Sequence, residues 1–255
     1  RSSDNYEVLN VRVDRERKIP ATVLLRAIGI ESNEQITELF GESSYLDNTF
    51  EKDSTTNASE ALLEIYTKLR PGEPATAEGS RNLMFQKYFD PRRYDLASAG
   101  RFKLASKLGL YGRLRDKIIA EPLVDFNGEV IYDDGTLMTK KEIDHLRSIK
   151  FFENGAHSVQ LNVNKELYLH GEGEDVVQIV HVYADEEKTR KVRIIGNDIV
   201  TNSRYLTIPD ILATFSFFVN SFEGFGANDD IDFLGNRRIR SPGELVQNHF
   251  RAGLS

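Results

Sequence analysis

The run Val176-Val177-Gln178-Ile179-Val180-His181-Val182-Tyr183 lies within a β-like block that extends from Ser158 to Asp198. β-Branched residues are frequent in this block, and polar turns at 171–175 and 185–188 divide it into strands. The segments on both sides show the spacing of apolar residues that is typical of helices. We therefore predict an α+β fold, in which a mainly helical part with a strand or hairpin element carries a small inserted β-rich module.

Several capping residues predict where helices begin in the amino-terminal part. Asn57, Thr76 and Asp95 each precede a run with helical periodicity, and their short polar side chains can accept hydrogen bonds from the free amides of a first turn. The helix after Asp95 is predicted to bury Phe102 in an apolar stripe. Residues 42–57 are polar, and we predict a loop there.

Turn and cap signals continue along the rest of the chain. Asn127-Gly128 predicts a hairpin over residues 122–132, because this dipeptide suits the tight turn between two strands. Thr139 is expected to begin a short helix. Pro209 stands at the start of a very apolar helix, and Ser241-Pro242-Gly243-Glu244 has the pattern of a capping box with proline at the first helical position.

Composition excludes some classes of protein and site. The 255 residues contain no cysteine, which excludes a disulfide framework, a thiolate metal site and a cysteine nucleophile. No run approaches the roughly 20 apolar residues of a membrane span. The net charge of -7 argues weakly against nucleic-acid binding. That acidity is uneven, because residues 113–203 hold 12 basic and 17 acidic residues, a net charge of −5, and the remainder carries −2.

Motifs for hydrolysis or phosphate binding are poorly represented. There is no Gly-x-Ser-x-Gly or His-Glu-x-x-His sequence, and the Gly-rich segments lack a following Lys-Ser/Thr. His170 and His181 could meet across a hairpin and bind a metal, but histidines at the surface or the edge of the core are the commoner arrangement. We therefore predict neither catalytic residues nor a metal site.

Clusters of basic residues are more informative. One cluster comprises Arg12, Arg15, Arg17 and Lys18, a second comprises Arg92 and Arg93, and a third comprises Arg237, Arg238 and Arg240. Guanidinium groups suit phosphate contacts, although a solvated face with acidic neighbours explains the same pattern. Asp232 could accept hydrogen bonds from an unstacked base, or could brace Arg237 or Arg238 by an ion pair.

Three long motifs carry a resemblance to a known family. They are Arg12-Val13-Asp14-Arg15-Glu16-Arg17-Lys18-Ile19-Pro20-Ala21-Thr22-Val23-Leu24-Leu25-Arg26-Ala27, then Leu69-Arg70-Pro71-Gly72-Glu73-Pro74 with Arg93-Tyr94-Asp95-Leu96, and Asp229-Asp230-Ile231-Asp232-Phe233-Leu234-Gly235-Asn236-Arg237-Arg238-Ile239-Arg240-Ser241. In this order and spacing they resemble the β subunit of bacterial DNA-directed RNA polymerase. The resemblance covers residues 7–112 and 204–255, and implies that 1–112 and 204–255 form its lobe, or β2, domain.

The resemblance also implies a domain organisation and a function. Residues 113–203 look like a lineage-specific β-rich insertion of Gram-positive, Firmicute-type β subunits, and the chain is expected to be a fragment of a larger protein. The lobe lines the DNA channel and holds downstream duplex and non-template strand during RNA synthesis. As part of a nucleotidyltransferase this fragment would carry no catalytic residue and no cofactor, because the Mg²⁺ of the whole enzyme is bound elsewhere.

Site residues follow from the resemblance position by position. Asp232 matches the residue that binds a guanine flipped from the non-template strand, in a pocket lined by the residues matching Ile231 and Arg237 and supported by that matching Arg240. The other wall of this pocket belongs to a region outside the chain, so the fragment is expected to hold only part of the site, and the Asp232 carboxylate would be buried only in the complete pocket. Other implied DNA contacts are Arg70 and Arg93 along the non-template strand, and Arg12, Arg15, Arg17 and Lys18 towards the channel.

Two departures and one alternative qualify the expected role. Phe233 stands where the family usually has histidine, and the chain lacks tryptophan, so the family's thymine-stacking tryptophan is absent.

The partners expected from the resemblance are DNA, the polymerase subunits α, β′ and ω, and a sigma factor. The expected location is the cytoplasm, with the nucleoid and not at a membrane. Alternatively, the acidic insertion is a protein-interaction module that docks a transcription factor such as the δ subunit.

Overall fold

The fold was analysed in a computed structural model, which describes residues 7–13, 18–90, 92–163, 175–198, 203–226, 230, 232–237 and 239–254. The helices are α1 (Ala21–Ala27), α2 (Asn33–Phe40), α3 (Ser44–Lys52), α4 (Ala58–Leu69), α5 (Ala77–Met84), α6 (Ala97–Leu108), α7 (Leu110–Arg113), α8 (Lys140–Ser148), α9 (Ile208–Phe222) and α10 (Pro242–Leu254). The strands are β1 (Asn10–Arg12), β2 (Lys18–Pro20), β3 (Ile118–Ile119), β4 (Leu123–Val124), β5 (Val130–Tyr132), β6 (Ser158–Gln160), β7 (Val176–Tyr183) and β8 (Lys191–Gly196). These elements confirm the predicted α+β class.

Strand β7 is the centre of the main sheet. It pairs antiparallel with β8 along one edge, and with β6 and β3 along the other. Two hairpins, β1–β2 and β4–β5, complete the strands of the described residues. The β4–β5 hairpin turns at Gly128, whose positive φ of 86° confirms the predicted Asn127-Gly128 turn.

The two faces of the main sheet contribute to two hydrophobic cores. Val177 of β7 and Ile195 of β8 pack into a core with α1 to α5 and α9, whereas Val180 and Ile194 pack into a core around α7 and α8. Side chains alternate between the faces of a strand, so one sheet serves both cores. All four strands of this sheet lie within the predicted insertion, and one face of the sheet packs against the helical part. The division at residues 113 and 203 stays a prediction.

The predicted loop over residues 42–57 was wrong, because α3 occupies Ser44–Lys52. Leu46 and Thr49 are buried on one face of this helix. The Thr49 hydroxyl accepts a hydrogen bond from the Leu9 amide at 2.9 Å and donates one to the Tyr45 carbonyl. A contact between residues 40 positions apart thus stabilises a helix that has few apolar residues of its own.

Helix α6 also differs from its predicted orientation. The predicted N-cap Asp95 was wrong by one position, because Leu96 is the N-cap residue, although the Asp95 carboxylate accepts a hydrogen bond from the Ala97 amide. Phe102, however, is 71% exposed, and the helix buries Arg101 instead. None of the helices in the described part of the chain is long and apolar enough to cross a membrane.

Candidate nucleic-acid interface

The β1–β2 hairpin carries two of the basic residues that the sequence singles out. Arg12 and Lys18 are register partners at the end of the hairpin where residues 13–17 connect its strands, and both side chains are exposed. Val13 and Ile19 beside them are buried, and the Ala21 amide donates to the Leu9 carbonyl at 2.9 Å. The hairpin is therefore fixed to the core while its basic side chains project into solvent. Arg15 and Arg17 lie outside the described residues.

Arg70 follows the carboxyl-terminal end of α4. Its guanidinium donates to the Glu73 carboxylate at 3.2 Å, and Glu73 also accepts a hydrogen bond from the Tyr66 hydroxyl at 3.0 Å. The hydrogen bond to Glu73 raises the pKa of Arg70. About half of the Arg70 side chain stays exposed, so the guanidinium is oriented but accessible.

Arg93 lies in the turn that leads into α6. Its amide donates to the Asp90 carbonyl at 3.0 Å, and its side chain is exposed. Two residues further on, Asp95 binds Arg204 at 2.7 Å and Arg251 of α10 at 3.1 Å. Partial burial opposes ionisation of Asp95, but the hydrogen bonds from Ala97, Arg204 and Arg251 lower its pKa overall. Asp95 therefore fixes α10 beside the turn that holds Arg93.

The loop between α9 and α10 is attached to α6 at a second point. Lys103 of α6 donates a hydrogen bond to the Gly235 carbonyl in the short 3₁₀ turn Leu234–Asn236. Arg237 and Arg240 follow this turn with exposed side chains, and Arg240 lies 4.0 Å from Glu244. Because the charged Lys103 side chain holds the turn by this hydrogen bond, the position of α6 determines where Arg237 and Arg240, which follow the turn, lie.

The Asp232 side chain is exposed in this structure, and its role in a complete pocket stays a prediction. The Asp232 amide donates to the Asp230 carboxylate at 2.9 Å. Within the described residues no ion pair joins Asp232 to Arg237, so the bracing role finds no support there. Ile231, predicted to line the same pocket, lies outside the described residues, as does the Arg238 side chain.

The predicted site residues lie on three different parts of the structure. Arg93, Asp232, Arg237 and Arg240 lie on segments attached to α6, and we call these four residues the α6 group. Arg70 at the end of α4, and Arg12 with Lys18 on the hairpin, belong to other parts of the surface. In the described ranges no hydrogen bond or ion pair connects the three sets.

Sequence reasoning missed the side chains that hold the α6 group. Lys103, Asp95 and Arg251 make the contacts that fix the loop and α10. The partners in these contacts are 132 and 156 residues apart, so no local spacing reveals them. The one available signal was the basic character of α6, where Lys103 and Lys107 recur at a spacing of four residues.

The histidines form no metal site in the part of the chain that the structure describes. His181 lies 2.9 Å from the Glu121 carboxylate, and its other ring nitrogen is 3.1 Å from the Arg193 guanidinium. His157 accepts a hydrogen bond from the Val124 amide at 3.1 Å. These hydrogen bonds connect strands to neighbouring loops, which is a structural role for both histidines. The other proposed ligand, His170, lies outside the described residues.

Comparison with known proteins supports the resemblance. Residues 2–123 match the family described as RNA polymerase Rpb2, domain 2. The subunit named "DNA-directed RNA polymerase subunit beta" from Listeria welshimeri serovar 6b is 46% identical over 255 positions, covering 99% of this chain and 21% of the relative. The subunit of the same name from Staphylococcus aureus strain JH9 is 44% identical over 260 positions, with the same coverage.

The extent of these matches defines the relationship. The chain spans about a fifth of the length of the relatives that it matches. The family match ends at residue 123, ten positions into the predicted insertion, whereas the similarity to whole β subunits continues through it. Nearly the whole chain is thus homologous to a segment of the bacterial RNA polymerase β subunit, and this chain belongs to that family.

Proposed function

We propose that this chain forms one wall of the DNA channel in a bacterial RNA polymerase, where it holds downstream duplex and the non-template strand. The observation that carries the proposal is the α6 group, in which exposed Arg93, Arg237 and Arg240 lie on segments fixed to one helix. Clustered guanidinium groups bind phosphates through charge and paired hydrogen bonds. Fixing their backbone reduces the conformational entropy that binding costs.

The acidic total charge is compatible with this role because the acidity is concentrated elsewhere. Residues 113–203 account for −5 of the total of -7, and residues 231–255 contain four arginines against two acidic residues. Electrostatic attraction to DNA is screened within about 8 Å at physiological salt. The charge that DNA meets is therefore that of the nearest surface, and at the α6 group that surface is basic.

A finer proposal concerns guanine. Asp232 would accept hydrogen bonds from the N1–H and N2–H donors of an unpaired guanine, with Ile231 and Arg237 lining the pocket and Arg240 supporting it. The exposed position of Asp232 fits half of a pocket whose other wall comes from outside this chain. Arg12, Arg15, Arg17, Lys18 and Arg70 would contribute further phosphate contacts along the channel.

The proposed setting is the whole enzyme. The chain would assemble with the α, β′ and ω subunits and a sigma factor, in the cytoplasm and on the nucleoid, as part of a nucleotidyltransferase. Its residues would hold DNA, and the catalytic Mg²⁺ would be bound by other parts of the polymerase. Among the described residues, no contact favours the alternative of a docking module in residues 113–203.

Site-specific photocrosslinking tests the proposed role. Benzoylphenylalanine replaces Ile239, which is 95% exposed between Arg237 and Arg240, in the full-length β subunit assembled into polymerase. Its matched control replaces Phe126, which is 67% exposed on the β4–β5 hairpin. We expect crosslinks from position 239 to the non-template strand of an open promoter and none from position 126. Equal crosslinking from both positions, or none from 239, would contradict the proposal.

A further inference from the structure

We propose that Phe233 is a stacking platform for one unpaired base of the non-template strand, and that Lys103 is the positioning residue that holds this platform in place. This inference rests on the proposed function and adds to it a contact between a base and an aromatic ring. It concerns the short turn Asp232–Arg237, a segment bounded by an acidic residue and an arginine.

The exposure and support of the Phe233 ring carry the first step. The residue is 63% exposed, as are Phe102, Phe126 and Phe250 to a similar extent, so the contact that supports its ring is what distinguishes it. A Cβ at Gly235 would lie 2.5 Å from Cε1 and 3.0 Å from Cδ1 of Phe233, so the ring rests directly on the glycine backbone. Any larger residue at position 235 would displace the ring. The backbone of the turn at Gly235 thus supports the Phe233 ring, and most of the residue stays exposed to solvent.

The second step concerns the rigidity of the turn. The Asp232 amide donates to the Asp230 side chain at 2.9 Å, and the Arg237 amide donates to the Leu234 carbonyl at 3.2 Å. Lys103 adds the hydrogen bond to the Gly235 carbonyl from outside the turn. A ring held by such contacts loses little conformational freedom when a base stacks on it. Lys103 therefore acts on the platform through the backbone, without touching the base.

The third step identifies the occupant by charge. An exposed aromatic ring next to cationic side chains is the arrangement with which proteins bind single-stranded nucleic acid, since bases stack on the ring and cations contact the backbone. Arg237 and Arg240 follow the ring, and among the described residues Arg240 lies 4.0 Å from Glu244 while no ion pair is found for Arg237. A purely apolar protein partner would have to desolvate these guanidinium groups. The observations therefore favour a nucleobase over an apolar protein surface.

Fluorescence of 2-aminopurine tests the inference in polymerase assembled with the full-length β subunit. The probe occupies successive positions of the non-template strand in a forked DNA, where stacking on a ring quenches its emission. We expect one position to be quenched in the parent enzyme. Phe233→Leu should abolish that quenching and weaken binding of the fork about tenfold. Phe233→Tyr, which keeps the ring, should preserve both, and so should Leu234→Ala at the exposed neighbouring position.

Lys103 variants test the positioning role separately. Lys103→Met should reduce the quenching at that same position, whereas Lys103→Arg should restore it, because arginine can also donate to the Gly235 carbonyl. Unchanged emission in Phe233→Leu would overturn the inference, and loss of a protein subunit from this variant would reassign the ring to a protein contact. If quenching is absent but position 239 still crosslinks to DNA, only this inference fails. If crosslinking is absent as well, the proposed function fails with it.

Discussion

The Arg101 guanidinium of α6 and the Asp210 carboxylate of α9 form a buried, two-pronged ion pair, with nitrogen–oxygen distances of 2.6 and 2.9 Å. Asp210 also accepts hydrogen bonds from the Asn197 side chain and from Thr207, while Arg101 donates to the Ser203 carbonyl. The buried charges of Arg101 and Asp210 are thus each hydrogen-bonded to several partners. This pair connects the helix that carries the α6 group to α9 and to the end of the sheet.

Removing the negative charge of this pair should be strongly destabilising. Asp210→Asn keeps the shape of the side chain but leaves the Arg101 guanidinium buried without a counter-charge. We expect the free energy of unfolding to fall by about 3–5 kcal/mol, as for other buried pairs that lose one partner. Urea denaturation of the chain, followed by circular dichroism, measures this change.

The control for that substitution is an exposed ion pair. Glu73→Gln breaks the contact with Arg70, in which both side chains are about half exposed, and should leave stability almost unchanged because solvent screens the pair. Similar losses for Asp210→Asn and Glu73→Gln would show that burial does not govern the energetics of these pairs.

The Asp198 carboxyl predicts a dependence of stability on pH. Burial raises its pKa to about 7, although the Leu110 amide donates to it at 2.7 Å. Because the folded state holds this proton more tightly than the unfolded state, stability should decrease as the pH rises from about 4 to 7. The slope is at most about 1.4 kcal/mol per pH unit. Asp198→Asn should remove this decrease and stabilise the chain at pH 8.

Urea denaturation at pH 5 and pH 8 measures the effect of Asp198. Asp134→Asn in an exposed turn is the control, and it should keep the pH profile of the parent chain. If Asp198→Asn also keeps the parent profile, the Asp198 carboxyl is not the group responsible.

Two glycines with different surroundings should respond differently to an added methyl group. At Gly196 a Cβ would lie 2.4 Å from Leu110 Cγ and 2.7 Å from Asp198 Oδ2, whereas at Gly243 of α10 it would meet nothing within 4 Å. We expect Gly196→Ala to cost about 1–3 kcal/mol of stability through overpacking. Gly243→Ala should be neutral or slightly stabilising, because alanine favours a helix. Equal thermal midpoints for the two variants would contradict the packing at Gly196.

His157 should make the chain sensitive to acid. Burial lowers its pKa, and the neighbouring His181 lowers it further against the opposing effect of Glu121. The unfolded state therefore takes up a proton more readily, and stability should fall as the pH decreases below about 6.5. His157→Gln should reduce that loss, since glutamine can still accept from the Val124 amide. The comparison is made in the Asp198→Asn background, where the opposite slope from Asp198 is absent, and an unchanged acid loss there would exclude His157 as its source.

Local sequence signals predicted the elements that depend on neighbouring residues. The Asn57 and Thr76 side chains accept hydrogen bonds from the amides of Glu60 and Gly79, as their capping roles require. Thr139 begins α8 with a capping box. Such contacts span three residues or fewer, so their pattern can be recognised in the sequence.

Contacts between distant residues explain what the sequence did not predict. Helix α3 depends on the Leu9–Thr49 hydrogen bond, and α6 turns Phe102 outwards because Arg101 reaches Asp210, 109 residues away. At the candidate interface, the family resemblance indicated the basic residues and Asp232, but not Lys103, which fixes their loop. A buried arginine looks the same as an exposed one in a sequence, because its partner determines where it lies.

The salt dependence of DNA binding tests the central claim most directly. Arg93, Arg237 and Arg240 are changed together to glutamate in the full-length β subunit assembled into polymerase. The affinity of this enzyme for a forked DNA is measured between 50 and 200 mM salt. Over this range, binding through about three phosphate contacts weakens markedly as the salt concentration rises. The control changes Lys140, Lys141 and Lys150, three exposed residues within 113–203, in the same way. We predict that the slope of log affinity against log salt decreases by about three in the first variant and stays unchanged in the second. An equal slope in both variants would contradict the assignment of the α6 group to the DNA channel.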